Sequence, residues 1–401
     1  MELADKTILL GLTGGIACYK VAELTRLLTK AGAAVQVVMT EAATQFITPV
    51  TMQALSGRPV FTSQWDGRVA NNMPHIDLSR EADLIVIAPA STDFLAKLAH
   101  GQCDDLLSTL CMARDCPLVA APAMNRQMWA NPATQRNVAQ LRGDGITLLG
   151  PDSGDQACGE IGDGRMLEPE ALLEAITAFF QPKVLAGKRV TMTAGPTFEP
   201  IDPVRGLTNL SSGKMGFAMA RAAAAAGASV HLIAGPTGLP TPYGVLRSDV
   251  QTAQQMYDAA LASAAGADVF IAVAAVADWR VAQVHASKIK KQDGHDVPHL
   301  NFVQNPDILA AVAQRPQAPF CVGFAAESDN LEAHGEEKRR KKGIPLLIGN
   351  LGPATFGRDD NEVVLFDAHG STRLPRADKQ MLANTLIREI AQRLDATSRH
   401  A

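Results

Sequence analysis

The segment KTILLGLTGGIA, residues 6–17, constrains the fold most. A continuous apolar run stops at two glycines and gives way to the helical pattern CYKVAELTRLLTKAG, after which AAVQVVMT reads as a second strand. Strands that are apolar on both faces and alternate with helices belong to parallel sheets covered on each side. The same grammar restarts at KRVTMTAGPT (188–197) and continues, after an insertion, with GFAMARAAAAAG and ASVHLIAG. ADLIVIAPA (82–90) echoes ADVFIAVAA (267–275), by duplication or by shared fold grammar. The expected fold class is α/β, with two doubly wound, Rossmann-like parallel-sheet domains in tandem. LEPEALLEAITAFF reads as a closing helix and QPKVLAGK as a break, so the boundary falls near 181–187 and the domains at 1–184 and 185–401.

Bulk properties narrow the function classes. With 401 residues, 47% hydrophobic and 19% charged, each half can build a core. A net charge of −4 gives no reason to expect nucleic acid or an acidic membrane as partner. The six cysteines, at 18, 103, 111, 116, 158 and 321, form no CxxC pair, so neither a zinc site nor a disulfide framework is indicated. The start MELADKTILLGL has no basic stretch, so no signal peptide is expected, and no apolar run reaches the roughly 18–20 residues of a membrane span. A cytoplasmic location follows as the expectation.

Ligands of open α/β sheets sit at the carboxyl ends of strands, beside helix N-termini. Four such ends in the first half carry small, hydroxyl or amide residues: Gly14, Gly15 and Ile16 of LTGGIA, Thr40 of VVMTEAATQF, Ser91 and Thr92 of IAPASTDF, and Ala123, Met124 and Asn125 of VAAPAMNRQMW. Neither half contains GxGxxG, which argues against a nicotinamide oxidoreductase. His75, in NNMPHIDLSREAD, is a candidate base, since an imidazole with its ordinary pKa of about 6.5 suits proton transfer near neutrality. Cys158 stands in the polar, glycine-rich DQACGEIGDGRM, where a core cysteine has no place. In the second half SSGKMG is not a P-loop: six residues separate Gly206 from Gly213, and Met215 follows Lys214. Lys288, Lys290 and Lys291 form one basic run, and Lys338 and Lys342, four apart, share a helical face within another.

TGGIA, PHIDL, APAMN and ACGEIGDGRM, in this order, resemble the flavin-dependent cysteine decarboxylases. GPTFEPIDPVRGLTNLSSGKMG and AAVADWR resemble phosphopantothenate–cysteine ligase. Over its whole length the chain is similar to the bacterial bifunctional coenzyme A biosynthesis family, in which phosphopantothenoylcysteine decarboxylase is fused to the ligase that makes its substrate. The resemblance implies FMN, because losing CO2 from a cysteinyl carboxylate needs an electron sink. Oxidising the neighbouring CH2–SH supplies one, and no side chain accepts that hydride. It implies FMN contacts from Gly14, Gly15, Ile16, Thr40, Ser91 and Ala123. It also implies His75 as base, Asn125 as holder of the substrate carboxylate and Cys158 as final proton donor, carried on a glycine loop free to close. IAPASTDF departs from part of the family at Thr92 and Asp93, which are not carried over.

For the second half the resemblance implies CTP and Mg2+, with activation of 4′-phosphopantothenate as an acyl-cytidylate that cysteine then attacks. It places Ala274, Asp278, Lys288, Pro306, Asp307, Ile308, Leu309, Phe324, Lys338 and Lys342 at the nucleotide, and Arg205 and Asn209 at the acyl-cytidylate and the phosphopantothenate. Asn209 and Lys288 are the implied catalytic residues here, and the metal ligands stay unassigned. It makes KMG an oligomer contact, while helix-start packing of Gly216 is the alternative for the same residues. Implied partners are small molecules and further copies of the chain: flavin domains as trimers, ligase domains as dimers, a dodecamer satisfying both. Some relatives of the flavin domain are non-catalytic FMN-binding regulatory subunits. The presence of His75, Asn125 and Cys158 together favours the enzyme.

Overall fold

The computed structural model describes residues 2–68, 73–290, 299–327, 330–351 and 357–400. Contacts divide the chain into two units, Met1–Thr177 and Ala178–Ala401.

In the first unit, β1 (Thr7–Leu12), α1 (Cys18–Lys30), β2 (Ala34–Met39), α2 (Glu41–Thr44), α3 (Pro49–Ser56) and α4 (Pro74–Glu81) lead into β3 (Leu84–Ala90). Then come α5 (Thr92–His100), α6 (Leu106–Ala113), β4 (Leu118–Pro122), α7 (Arg126–Ala130), α8 (Pro132–Gly143) and β5 (Thr147–Leu148). The five strands form one parallel sheet in the order β2-β1-β3-β4-β5. Every residue of β3 is buried, as a strand covered on both faces requires. One face rests on Phe94 and Leu95 of α5 and on Leu107 and Leu110 of α6. Strand order reverses between β1 and β3, and the crevice beyond that switch point is where such sheets take ligands.

The stretch read as a glycine loop is a hairpin. β6 (Asp152–Asp155) and β7 (Ile161–Arg165) pair antiparallel, and the turn between them carries Cys158. The hairpin lies close against the end of β4. The Met124 N–H donates to the Gly164 carbonyl at 2.9 Å, and a Cβ on Gly164 would come within 2.4 Å of the Met124 carbonyl oxygen. Only glycine fits that approach, at φ +123°. α9 (Pro169–Phe179) follows.

The second unit has an eight-stranded sheet, β12-β11-β8-β13-β16-β17-β18-β19. Its strands are β8 (Arg189–Ala194), β11 (Ser229–Ala234), β12 (Val245–Asp249), β13 (Val269–Ala272), β16 (Phe320–Glu327), β17 (Leu346–Leu351), β18 (Asp360–Asp367) and β19 (Gly370–Asp378). Short ribbons β9 (Phe198–Pro200) with β10 (Gly206–Thr208), and β14 (Trp279–Val281) with β15 (Phe302–Gln304), stand outside it. The helices are α10 (Lys214–Ala225), α11 (Ala253–Ala264), α12 (Ile308–Ala313), α13 (Leu331–Lys342) and the C-terminal helix Lys379–His400. Strands β12 through β17 run parallel, and order reverses between β8 and β13. The far edge is antiparallel: β18 and β19 run against β17 and each other. Asp367 pairs with Gly370 across a tight turn, a connection too short for the crossover that parallel strands need.

α10 rests directly on β8. A Cβ on Gly216 would lie 2.5 Å from the Ala194 Cβ, and Phe217, Ala220 and Ala223 share a core with Leu382, Leu386 and Ile390 of the C-terminal helix. Gly216 thus has the packing role that helix-start geometry suggested. Gly216→Val is expected to cost about 2 kcal/mol by overpacking, lowering the calorimetric transition of the second unit by roughly 4–8 °C. An unchanged transition would contradict this contact.

Candidate functional site

At the first switch point the ends of β1 and β3 are tied by one buried hydroxyl. Thr13 Oγ1 donates to the Pro89 carbonyl at 2.6 Å and accepts from the Ser91 N–H at 2.9 Å. Ser91 in turn caps α5, its Oγ accepting from the Phe94 N–H at 3.2 Å. Beyond these ends opens a cavity of about 580 Å³, within the range of cofactor pockets. Gly14, Gly15, Ile16, Ser91, Ala123, Asn125 and Cys158, all picked out from the sequence, line it together. Tyr19, Met124 and Met128 add apolar surface, and Lys20 and Arg165 add cations. Glycines where backbone must come close, flat apolar walls and a few polar groups make a cradle that fits a flavin.

Two residues of the predicted set lie elsewhere. The Thr40 hydroxyl caps α2 through the Ala43 N–H, and His75 sits half-buried in the first turn of α4; neither lines this cavity.

Asn125 is fixed at both ends of its amide. Its Oδ1 caps α7, accepting from the Gln127 N–H at 2.8 Å, which turns Nδ2 toward the hairpin. That nitrogen lies 3.5 Å from Cys158 Sγ, 3.4 Å from Gln156 Oε1 and 2.6 Å from Glu160 Oε2. Hydrogen bonds from Gln127 and then Asn125 hold the Glu160 carboxyl below the usual carboxylate range. The Cys158 thiol is exposed. Cys18 is a contrast: burial pushes its thiol up to about 11, and it donates to the Thr13 carbonyl. Thr13 and Glu160 were missed from the sequence, because a strand-end threonine and a turn glutamate signal nothing until the contacts form.

In the second unit the predicted residues fall into separate groups. Ala274 and Phe324 line a cleft of about 140 Å³ with Ser211, Ser212, Gly213 and Lys214. Asn209 Nδ2 donates to the Ala275 carbonyl at 2.9 Å. The Asn305 side chain donates to the Ala277 carbonyl and its N–H to that of Asp278, which brings Asp278 to Pro306 and Asp307. Lys342 Nζ meets both Asp307 oxygens, at 2.9 and 2.7 Å. Burial would raise the Asp307 carboxyl, but Lys342 and the capped Ala310 N–H outweigh it and hold the group low. Ile308 and Leu309 are only 5% and 7% exposed, so their side chains belong to the core and their backbone alone is left for a ligand. Lys338 lies one turn before Lys342 on α13.

Arg205 and exposed Lys288 are joined through a residue the sequence did not reveal. The buried Asp202 carboxylate accepts from Arg205 Nε at 3.0 Å and Nη2 at 2.5 Å, and from the N–H groups of Val204, Arg205 and Ile289. Arg205 Nη2 also donates to the Ile289 carbonyl at 3.0 Å. The guanidinium beside Asp202 holds its carboxyl far below the usual range. The clamp fixes the loop segment next to Lys288, through the Ile289 N–H and carbonyl. Lys291 lies outside the described residues. Among the described residues no three acidic, histidine or cysteine side chains converge as a metal cage, and no helix is long and apolar enough to cross a membrane.

Comparison with known proteins assigns a family to each half of the chain. The Flavoprotein family matches residues 1–181, and the DNA/pantothenate metabolism flavoprotein C-terminal domain matches residues 185–394. The chain is 50% identical over 392 residues to the coenzyme A biosynthesis bifunctional protein CoaBC of Vibrio vulnificus strain CMCP6, covering 97% of this chain and 98% of the relative. It is 47% identical over 405 residues to that of Escherichia coli strain K12, covering 100% of each. The crystal structure of the C-terminal domain of a CoaBC protein is 35% identical, covers 53% of this chain and 99% of its own, and superposes with a TM-score of 0.47. The chain belongs to the family of bifunctional coenzyme A biosynthesis proteins, in which a flavoprotein decarboxylase domain is followed by a ligase domain.

Proposed function

We propose that the ligase unit joins 4′-phosphopantothenate to cysteine through an acyl-cytidylate made from CTP and Mg2+. The first unit then decarboxylates the resulting 4′-phosphopantothenoylcysteine to 4′-phosphopantetheine with FMN. The observation that carries the decarboxylase reading is the meeting of Asn125 and Cys158, 3.5 Å apart, over a cavity floored by Gly14 and Gly15. FMN bound there supplies the reversible hydride acceptor that the carbon–carbon cleavage needs.

Gly14, Gly15, Ile16, Ser91 and Ala123 hold the cofactor. Asn125 Nδ2 orients the substrate carboxylate, since its oxygen is committed to the α7 cap. Cys158, exposed on its turn, donates the last proton to carbon. His75 acts as base from a second copy of the chain. Its position on α4, away from its own cavity, fits this, as do Ile16 and Tyr19, which leave more than half of their surface uncovered at the cavity wall. Trimers of the first unit and dimers of the second give a closed dodecamer.

In the ligase unit Lys288 and Arg205, held by Asp202, lie where the acyl-cytidylate forms. Lys338 and Lys342 offset charge along the triphosphate, whose Mg2+ arrives with the nucleotide phosphates. Asn209, Ala274 and Phe324 enclose the activated acyl group and nucleotide, and Asp278, Pro306, Asp307 and the backbone of Ile308 and Leu309 complete the nucleotide site. All six cysteines are free thiols, which fits work in a reducing cytoplasm.

Cys158→Ser is expected to keep bound flavin and release CO2, while phosphopantetheine formation falls by about 10²-fold or more and an oxidised enethiol accumulates, read by mass spectrometry. A normal phosphopantetheine yield would remove the proton-donor role. Lys288→Gln is expected to slow pyrophosphate release from CTP by about 10²-fold while supplied 4′-phosphopantothenoylcysteine is decarboxylated at the wild-type rate. Undiminished pyrophosphate release would remove Lys288 from the activation step.

A further inference from the structure

Three consecutive side chains at the start of α7 converge on one carboxylate, and that carboxylate is the chain's own. Asn125 Nδ2 donates to Glu160 Oε2 at 2.6 Å, Gln127 Nε2 donates to Oε1 at 3.1 Å, and Arg126 Nε stands 3.5 Å from Oε2. Donors are limited here. The Asn125 oxygen is held by the Gln127 N–H, so the amide cannot rotate to offer a fresh face. Its nitrogen has two hydrogens, and Glu160, Gln156 and Cys158 already surround it. A substrate carboxylate brought to Asn125 therefore meets a second negative charge on the same amide, and two adjacent carboxylates disfavour each other's ionised form. The donors keep Glu160 ionised, so the conflict is not relieved by protonation.

We propose that Glu160 is an internal competitor for the substrate carboxylate, and that exchange of the two at Asn125 couples substrate entry to release of the hairpin that carries Cys158. This rests on Asn125 being the carboxylate holder. Glu160 lies two residues after Cys158, its Oε2 is 3.8 Å from the thiol sulfur, and both belong to the turn of the β6–β7 hairpin. Displacing Glu160 loosens that turn: its contacts with Asn125, Arg126 and Gln127 are lost, while Gln156 Oε1 keeps the Arg126 N–H at 3.1 Å as the remaining tie. Loss of CO2 removes the competing charge, Glu160 returns to Asn125, and Cys158 is carried back over the cavity when its proton is needed. Glu160 is thus a positioning residue that sets when the thiol is in place, and it discriminates between carboxylated substrate and decarboxylated product.

The test compares two ligands that differ by the carboxylate. In Glu160→Gln the acceptor oxygen stays and the charge goes. The KM for 4′-phosphopantothenoylcysteine is expected to fall about tenfold, while the inhibition constant of 4′-phosphopantetheine, which has no carboxylate, stays at the wild-type value. Glu160→Ala is expected to show the same split. Equal bound flavin in all three proteins establishes an intact first unit. A KM that is unchanged or raised, or two constants that move together, would overturn the proposal. If wild-type protein releases CO2 and the variants show no split, the Glu160 assignment falls alone; if wild-type protein releases none, the carboxylate-holder reading falls with it.

Discussion

The first site depends on a side chain that never faces a ligand. Thr13 joins the carboxyl ends of β1 and β3 by donating to one carbonyl and accepting from one amide, with its hydroxyl buried. A parallel sheet leaves its strand ends as separate loops, and the switch point between β1 and β3 is where those loops diverge. Holding Pro89 and Ser91 to Thr13 fixes the width of the crevice. Gly14 and Gly15, Ser91 and the α5 cap then have defined positions, and the β4 end with Asn125 is set against them through the sheet. Removing the hydroxyl would strand a buried carbonyl and a backbone N–H, a loss of about 1–3 kcal/mol placed at the site itself.

The two units use the same grammar for different chemistry. Each has a cavity beyond the carboxyl ends of its parallel strands, near a reversal of strand order. In the first, the walls are largely apolar and the polar groups are few, which suits a flat ring and a reaction kept from water. In the second, cations recur: Lys342 on Asp307, Arg205 on Asp202, Lys338 one turn before Lys342, and Lys288 beside the Ile289 that Asp202 and Arg205 hold. Each of the two paired cations is held by a carboxylate that is itself a structural anchor. Asp202, buried, ties two loops together, and Asp307, more exposed, caps α12, so each carboxylate pins its basic group from a fixed place in the fold.

Much of this was legible in the residues. The apolar runs that became β1, β3, β8 and β13 carry their burial in their composition, and Gly14, Gly15, Ser91, Asn125 and Cys158 stand at strand ends or in a turn unsuited to a core. The remainder depends on contacts between distant segments. Thr13, Glu160 and Asp202 acquire meaning only through partners 76, 35 and 87 residues away. The hairpin at 152–165 was hidden because its glycines resemble a loop, and their fit against the Met124 carbonyl is a tertiary fact. The β18–β19 edge was hidden because a tight turn between two apolar-polar runs breaks an otherwise parallel rule. His75 reads as catalytic in the sequence but sits apart from its own chain's cavity, which directs attention to a second copy.

The central claim is that the β1/β3 crevice of the first unit is a flavin site. Titrating flavin-free full-length protein with FMN, and following quenching of flavin fluorescence, tests it most directly. The account predicts saturable uptake of one FMN per chain and a yellow protein after removal of free cofactor. A chain that stays colourless and leaves FMN fluorescence unchanged would contradict it.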